Sequence, residues 1–291
     1  MKKTTYAILV NPASGKTGID GKRTRLNAAA SILKANIHGL DTGSAEDFNQ
    51  CALELAPHCD VLVVAGGDGT FSSVINTLDT DIKTLAYLPL GSGNALRYAL
   101  GYPGNLADIA MRIRTGPVRE YDLIHCDQKK RAFMVSLGIE GTILRFRDRF
   151  LRQGHTGFHP YLKAVFLSLY KAYTPFRAQA LLDGKRVVIR NLLSFMVMKQ
   201  PYYGYGMKVV PKAGFDDRLL HVLCCEFRYT QMVIAGLTSF SIGNRAGQYR
   251  TCKSLSVKLN RPMSVQIDGD IAWKAETFHF KVLPGVLQIK C

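Results

Sequence analysis

The sequence predicts an α/β N-terminal domain with a parallel sheet, followed by a β-rich antiparallel sandwich as the C-terminal domain. Apolar runs alternate with helical patterns up to about residue 120, and short β-type runs follow one another after Gly116-Pro117. The chain has 291 residues, of which 47% are hydrophobic, and a chain of this kind can form two domains. We therefore expect one domain over residues 1–120 and a second over residues 121–291.

In the first domain, most of the apolar runs are followed by a segment with helical periodicity. Strands separated by helices of this length are typical of βαβ units, in which the strands run parallel. Ligands of such sheets bind beyond the carboxyl ends of the strands. The predicted strands span residues 6–10, 61–65 and 84–88, and the predicted helices span residues 23–34, 45–55, 72–78, 94–100 and 106–114.

In the second domain, the β-type runs are short and closely spaced, which is the pattern of an antiparallel sandwich or barrel. One helix, over residues 161–173, interrupts them. The predicted strands span residues 118–126, 132–137, 176–182, 187–190, 193–198, 219–225, 255–259, 265–268 and 278–282.

The composition indicates the cellular compartment of the protein and the class of partner that it binds. The formal charge is +16, which favours an anionic partner: nucleic acid, a phosphorylated ligand or an acidic membrane surface. The seven cysteines form no C-x-x-C pair and their number is odd, which indicates reduced thiols and a cytoplasmic protein. The N-terminal apolar run stops at Asn11-Pro12, and the charge-free stretch 232–244 is shorter than a bilayer requires. We expect neither a cleavable leader nor a membrane-spanning helix.

Glycine-rich loops follow each of the predicted strands of the first domain. The loops are Asn11-Pro12-Ala13-Ser14-Gly15-Lys16-Thr17, Gly66-Gly67-Asp68-Gly69-Thr70 and Pro89-Leu90-Gly91-Ser92-Gly93-Asn94. The first is not a Walker A motif, because its leading glycine would fall at Val10, and taken alone it fits an ordinary Asn-Pro turn as well as it fits a contact with a nucleotide phosphate. Together, the loops indicate a phosphate site, where backbone amides approach the ligand. Asp68 would hold Mg²⁺ or accept a proton from a hydroxyl.

The motifs NPASG, GGDGT and PLGSGNAL resemble the catalytic domain of the diacylglycerol kinase and sphingosine kinase family, including its bacterial lipid kinases. The likeness continues through residues 138–144 and 206–211, then Asp216-Asp217 and Asp268-Gly269-Asp270, so it covers nearly the whole chain. The resemblance implies transfer of the γ-phosphate of ATP, with Mg²⁺, to a lipid hydroxyl in a cleft between the two domains. The acceptor would be diacylglycerol or a sphingosine-like long-chain base.

The resemblance also implies roles for individual residues. Asp68 and Asp270 are the two candidates for the catalytic base, and the family does not decide between them here. A structural Mg²⁺ would be held by Asp217 and by the carbonyls of Gly214 and Leu219. The residues implied to bind the nucleotide are Asn11, Thr42, Gly66, Gly67, Asp68, Gly69, Thr70, Phe71, Ser72, Gly91, Ser92, Gly93 and Asn94.

Some positions depart from the family pattern. Ser73 stands where relatives usually have glutamate, Asp270 ends a pattern that usually closes on glutamate, and Arg218 replaces a usual glycine. Without the resemblance, Asp216-Asp217 would be a solvated turn and Asp268-Gly269 a type I′ hairpin turn. Two alternatives therefore stay open: phosphorylation of a soluble acceptor, as in NAD kinases, and a nucleotide or lipid sensor without activity.

Residues 145–177 form a basic, aromatic-rich stretch. Interleaved Arg, Lys, Phe and Tyr suit an anionic membrane surface, although they also suit single-stranded nucleic acid, or a core helix with a solvated basic approach. We favour the membrane, because a lipid kinase must take its substrate from a bilayer. The expected partners are a lipid substrate and an anionic membrane, with no nucleic acid; a homodimer is left open. We expect a cytoplasmic, peripherally membrane-associated protein.

Overall fold

The computed structural model describes residues 4–78, 83–155, 157–172, 174–226 and 228–291. The chain forms two compact units. The first comprises the residues up to Tyr121 together with Gly285–Cys291, and the second comprises Asp122–Pro284. The expected second domain ran to Cys291, whereas the residues from Gly285 onward belong to the first unit. The reason is a parallel pairing of Gln288 and Ile289 with the strand that begins at Thr84.

The first unit contains a parallel sheet with the strand order β4-β3-β1-β2. The residues of β3 are all buried, as is typical of a parallel strand with both faces covered. The carboxyl ends of these strands lead into the glycine-rich loops and, after β2, into the segment that carries Thr42. The strands are β1 (Tyr6–Val10), β2 (Asn36–His38), β3 (Val61–Gly66) and β4 (Thr84–Pro89).

Two helices of the first unit begin at residues whose side chains cap the helix. Ser44 caps α2 by accepting a hydrogen bond from the Asp47 amide at 3.0 Å. Asn105 and Asp108 form a capping box at the start of α5. The helices are α1 (Ile19–Leu33), α2 (Ala45–Leu55), α3 (Asp68–Thr77), α4 (Ala95–Ala99) and α5 (Leu106–Thr115).

The second unit is an antiparallel arrangement whose path runs β11-β10-β9-β7-β12-β13, while β8 pairs with both β9 and β12 and β5 pairs with β6. Its core holds large apolar side chains such as Phe195 and Phe278. The strands are β5 (Val118–Cys126), β6 (Lys130–Ala132), β7 (Met134–Gly138), β8 (Phe176–Leu182), β9 (Lys185–Met198), β10 (Leu220–Glu226), β11 (Gln248–Cys252), β12 (Ser254–Ile267) and β13 (Asp270–Lys290).

Strands β9 and β12 are each longer than the sequence predicts. The separate runs expected at 187–190 and 193–198 join through Asn191, which has a φ of 54°. The runs expected at 255–259 and 265–268 join in β12, where the pairing with β13 shifts register between Lys258 and Met263. The first half of each strand pairs with β8 and the second half with β7. Each of these continuous strands therefore pairs with two different neighbours.

The second unit also contains helices α6 (Ile139–Arg152), α7 (Phe158–Leu167) and α8 (Tyr229–Ser239). The predicted helix 161–173 corresponds to α7 and a π-helical turn at Ser168–Ala172. Its last residue, Tyr173, lies outside the described residues. The sequence did not predict α6 or α8. Among the described residues, no helix combines the length and the apolar character needed to cross a bilayer.

The turn at Asp268-Gly269 connects β12 and β13 as a tight hairpin. Both residues have a positive φ, 47° and 99°, which a type I′ turn requires. The Asp268 carboxylate is buried and accepts hydrogen bonds from the amides of Phe133 and Met134. The turn therefore fixes the position of Asp270, the first residue of β13.

Candidate functional site

The glycine-rich loops of the first unit lie against one another. A Cβ on Gly91 would lie 2.5 Å from the Cα of Gly67, and a Cβ on Gly15 would lie 2.3 Å from the carbonyl oxygen of Leu90. The amides of Leu90 and Gly91 both donate to the carbonyl of Gly66. Side chains at these glycines would separate the loops. The glycines therefore allow three backbone segments to converge at the carboxyl edge of the sheet.

Small polar side chains join the first loop to the second. The Asn11 side-chain amide donates to Thr70 Oγ1 at 3.0 Å, and the Ser14 hydroxyl lies 2.9 Å from the same oxygen. Thr70 lies in the first turn of α3, where the first amides have no acceptor within the helix. Such a helix start, beside two other glycine loops, suits a phosphate group.

Asp68 connects the second loop to the third. Its Oδ2 accepts a hydrogen bond from the Ala95 amide at 2.8 Å, and its Oδ1 accepts one from the Leu96 amide at 2.9 Å. Burial raises the pKa of Asp68, while these amides lower it. The carboxylate thus caps α4. This structural role was not part of the sequence hypothesis, which gave Asp68 a metal or a proton to bind.

The other residues predicted to bind the nucleotide differ in how far their side chains are buried. Thr42 is half-buried and donates to the Gly39 carbonyl at 2.7 Å in the segment after β2, and Ser92 is exposed on the third loop. Asn94 donates to the Gly91 carbonyl and shapes that loop. Phe71, by contrast, is fully buried against Tyr87, so only its backbone is placed to meet a ligand.

Asp270 lies at the start of β13 in the second unit, on the exposed side of the hairpin turn. Desolvation by the surrounding chain raises the pKa of Asp270; the positive charge of Arg147 opposes this rise and the negative charge of Asp148 adds to it. A carboxylate whose pKa is raised is a stronger proton acceptor than one with the ordinary pKa.

An apolar cavity of about 270 Å³ lies in the second unit, lined by α6, α7, α8 and the strands beside them. Ile143, Leu193 and Val165 contribute aliphatic side chains, and Phe158 and Tyr161 contribute aromatic rings. The cavity is the size of a small-molecule site and has few polar groups. The sequence did not predict it, because α6 and α8 were missed.

Glu140 is the buried carboxyl group of this cavity. Its Oε1 accepts a hydrogen bond from the Ser194 hydroxyl, whereas its Oε2 is buried without a hydrogen-bond partner. Burial raises the pKa of Glu140 to about 7, and the Ser194 hydrogen bond limits the rise. Gln231 Oε1, also in the lining, is likewise buried without a partner. A polar group of a ligand would satisfy these atoms.

The predicted metal position contains a lysine. Lys199 Nζ donates to Asp217 Oδ1 at 2.6 Å and to the Leu219 carbonyl at 2.8 Å, and it lies 2.9 Å from Asp122 Oδ2. Two of the three predicted ligands thus bind an ammonium group. Among the described residues, no cluster of three His, Cys, Asp or Glu side chains is arranged to hold a metal ion. The residues present do not fit the implied structural Mg²⁺.

A histidine also contacts Asp217. His221 Nε2 lies 2.7 Å from Asp217 Oδ2. Burial alone would raise the pKa of Asp217, but the Lys199 hydrogen bond and charge, with the His221 contact, lower it. The carboxylate therefore stays ionised over the neutral range.

Sequence reasoning missed the buried lysines Lys22 and Lys199. Lys22 donates to the Pro12 carbonyl and so holds the first loop against α1. The sequence contained a signal for the burial of Lys22, because helical spacing places it on the same face of α1 as Leu26, Ala29 and Leu33. Lys199 directly follows the apolar end of β9, a position at which a lysine is normally solvated.

Exposed apolar side chains surround the helices that line the cavity. Phe166 is 68% exposed and Tyr170 is 80% exposed, and their rings stack at 6.3 Å. Leu237 and Ile242, on and after α8, are exposed by 73% and 64%. Phe158 contacts Phe240 edge-on at 5.8 Å, so α7 and the end of α8 are neighbours. Apolar groups concentrated in this way mark a binding surface.

Family models match both parts of the chain. The diacylglycerol kinase catalytic domain matches residues 5–126, and the YegS C-terminal NAD kinase beta sandwich-like domain matches residues 134–291. A diacylglycerol kinase of Staphylococcus saprophyticus is 24% identical over 92% of this chain and 89% of its own. A diacylglycerol kinase of Mycobacterium tuberculosis is 24% identical over 97% of this chain and 93% of its own.

Solved structures share the fold. The crystal structure of a diacylglycerol kinase from Bacillus anthracis has a TM-score of 0.79 at 20% identity and covers 100% of this chain and 98% of its own. An NAD kinase from Archaeoglobus fulgidus, crystallised with ATP, has a TM-score of 0.54 at 13% identity and covers 98% of this chain and 93% of its own. Both matches extend over both units.

Proposed function

Because the chain belongs to the diacylglycerol kinase family of lipid kinases, we propose that it transfers the γ-phosphate of ATP to the hydroxyl group of a lipid. One observation carries the choice of a lipid: the second unit contains a cavity of about 270 Å³ lined mainly by apolar side chains. A cavity of this kind binds acyl or alkyl chains and disfavours a charged, soluble acceptor.

The first unit supports the nucleotide half of the proposal. The convergent loops at Gly15, Gly67 and Gly91 present backbone amides without bulky side chains, which suits a triphosphate. The Archaeoglobus fulgidus NAD kinase, crystallised with ATP, supports ATP as the donor for this fold. Mg²⁺ would enter as the counter-ion of ATP and neutralise charge on its phosphates.

We assign the proton transfer to Asp270 and a positioning role to Asp68. The lipid hydroxyl gives its proton to the Asp270 carboxylate while its oxygen forms a bond to the γ-phosphorus, and the bond between that phosphorus and the β–γ bridging oxygen breaks to release ADP. Asp68 has both oxygens occupied by the amides of Ala95 and Leu96, so it holds the loops in place for the nucleotide.

The same unit supports contact with a membrane. Phe166, Tyr170 and Leu237 are exposed beside the helices of the cavity, and α6 carries basic residues such as Arg149 and Arg152 in its last turn. Aromatic rings at the headgroup level and cations beside lipid phosphates are typical of interfacial binding. We propose that the protein is cytoplasmic and binds the membrane peripherally to take up its acceptor.

The test is a transfer assay with labelled ATP and Mg²⁺ on separate acceptors: diacylglycerol and a long-chain base, each in mixed micelles, and NAD. We expect label in the organic phase with at least one lipid and none in NADP, and a loss of about 100-fold or more in Asp270→Asn. Label in NADP alone would replace the lipid by a soluble acceptor. ATP binding without transfer to any acceptor would indicate a sensor instead.

A further inference from the structure

The cluster around Lys199 in the second unit is the starting point. The Lys199 side chain is fully buried, and its ammonium group has three acceptors: Asp217 Oδ1 at 2.6 Å, the Leu219 carbonyl at 2.8 Å and Asp122 Oδ2 at 2.9 Å. A lysine ammonium has three N–H donors, so each one has an oxygen. We propose that Lys199 replaces a divalent cation in this turn, which makes the turn independent of Mg²⁺.

The geometry separates an ammonium site from a metal site. Mg²⁺ requires near-octahedral oxygen ligands at roughly 2.0–2.1 Å, usually including several waters. The contacts of Lys199 lie at ordinary hydrogen-bond distances, between 2.6 and 2.9 Å. Two of the oxygens that would ligate a metal, on Asp217 and Leu219, already contact a nitrogen. A cation beside this buried ammonium would also be repelled by its charge.

The backbone of the turn is organised around the same carboxylates. The Arg218 amide donates to Asp122 Oδ2 at 2.7 Å, and the Leu219 amide donates to Asp217 Oδ1 at 3.2 Å. Arg218 has a φ of 58°, an unfavourable conformation for a residue other than glycine, so the turn needs strong contacts to hold it. The cation supplies them by joining the end of β9 to Asp122, Asp217 and Leu219.

This inference concerns folding and does not depend on the proposed function. A metal ion can be removed by a chelator, whereas a lysine is part of the chain. We therefore expect the wild-type chain to unfold at the same temperature in EDTA and in millimolar Mg²⁺. The measurement uses the full chain without ATP, so that the metal ion accompanying the nucleotide makes no contribution.

The variant Lys199→Asn tests the replacement directly, because asparagine removes the charge and leaves a short oxygen ligand. In EDTA we expect its unfolding temperature to fall by on the order of 10 °C, since the buried Asp122 carboxylate and the partly exposed Asp217 carboxylate lose their cation. Mg²⁺ or Mn²⁺ should restore a large part of that loss in a saturable way. The restoration should disappear in Lys199→Asn/Asp217→Asn. Lys185→Ala, at the exposed first residue of β9, is the matched control and should show neither effect.

Two results would overturn the inference. One is a saturable rise in the wild-type unfolding temperature with Mg²⁺, or a stoichiometric Mn²⁺ signal in electron paramagnetic resonance, that Asp217→Asn abolishes. The other is a folded Lys199→Asn variant whose stability is indifferent to divalent cations. The wild-type measurement decides the matter even where the variant does not fold.

Discussion

At the residue scale, the two candidate acids differ in what their oxygens contact. Asp68 binds the amides of Ala95 and Leu96, whereas Asp270 is exposed and its pKa is raised. In Asp68→Asn, one side-chain oxygen must serve two amides, so we expect the free energy of unfolding to fall by about 1–2 kcal/mol. Asp270→Asn should leave it within about 0.5 kcal/mol of wild type. Urea unfolding of both variants measures this difference.

The transfer activity and the ATP affinity of the two variants provide a second comparison of Asp68 and Asp270. Asp270→Asn should lose transfer with normal ATP binding, whereas Asp68→Asn should also bind ATP more weakly, because the loops that it joins would separate. Calorimetric titration with ATP and the transfer assay give both readouts. Normal transfer in Asp270→Asn, with a stable and inactive Asp68→Asn, would move the base to Asp68.

Glu140 predicts a pH dependence of stability. Burial raises its pKa from 4.5 to about 7, so the folded state binds more protons than the unfolded state between those values. The contribution of this group to stability is therefore complete below about pH 4.5 and is lost as the pH rises to about 7. The loss is on the order of 3 kcal/mol. We expect Glu140→Gln, which stays neutral, to lose less stability than wild type between pH 5 and pH 8.

Thermal unfolding of both proteins at pH 5 and pH 8 tests this prediction. Ser194→Ala, which removes the hydroxyl that donates to Glu140 and leaves the carboxyl group, is the control and should retain the wild-type direction. Equal pH dependence in wild type and Glu140→Gln would show that Glu140 titrates normally.

At the element scale, periodicity was sufficient for the first unit and insufficient for parts of the second. The parallel strands at 6–10, 61–66 and 84–89 are apolar runs that end at glycine or proline turns, so their signal is local. Strand β2 has three residues, none of them fully buried, and leaves no pattern to detect. Helix α6 is buried at its start and basic at its end, and its second half was interpreted as part of the basic, aromatic-rich stretch 145–177.

The joined strands show a different limit. Asn191 is a residue type that favours turns, so the sequence indicates the end of a strand there. In β12 the pairing with β13 shifts register after Lys258, and local sequence does not show that the strand continues past this point. Here the strand bends and continues, since each half pairs with a different neighbour. Likewise, the resemblance implied a Mg²⁺ ion held by Asp217 and the carbonyls of Gly214 and Leu219, whereas Lys199, which follows β9, contacts Asp217 and Leu219. Contacts between distant segments are not encoded in local spacing.

Helix α8 offers a test of the cavity. Gly236 lines the cavity, and a Cβ added there would meet no atom within 4 Å. Gly236→Leu should project its side chain toward the cavity and raise the KM for the lipid about tenfold, while the KM for ATP stays unchanged. Gly236→Ala is the matched control. Both variants should stabilise the helix by up to about 1 kcal/mol, since glycine is a poor helix former.

Lipid kinetics on the two variants separates filling of the cavity from a change in the helix. An effect of the same size in Gly236→Ala and Gly236→Leu would assign it to the backbone of α8. Wild-type lipid kinetics in Gly236→Leu would mean that the acceptor binds elsewhere.

At the scale of the whole molecule, the charge of +16 and the exposed apolar groups act at different ranges. The charge attracts the protein to an anionic surface over about a Debye length, whereas Phe166 and Tyr170 act only on contact. Two steps follow: approach that depends on salt and insertion that depends on side chains. Neither feature alone selects a membrane over another anion, since arginines with aromatic rings also bind nucleic acid.

Vesicle sedimentation separates the two steps. We expect wild type to bind phosphatidylserine-containing vesicles, with affinity about tenfold lower at 0.5 M salt than at 0.1 M, because salt screens the charge. Phe166→Ser/Tyr170→Ser should lose on the order of 100-fold at either salt concentration, as burial of each aromatic ring contributes about 1.5–3 kcal/mol. Met111→Ser, an exposed apolar residue of α5 in the first unit, is the control and should bind like wild type. Equal binding of the vesicles by all three proteins would assign attachment to charge alone. If the wild-type protein binds single-stranded nucleic acid more tightly than it binds vesicles, the partner is nucleic acid and not a membrane.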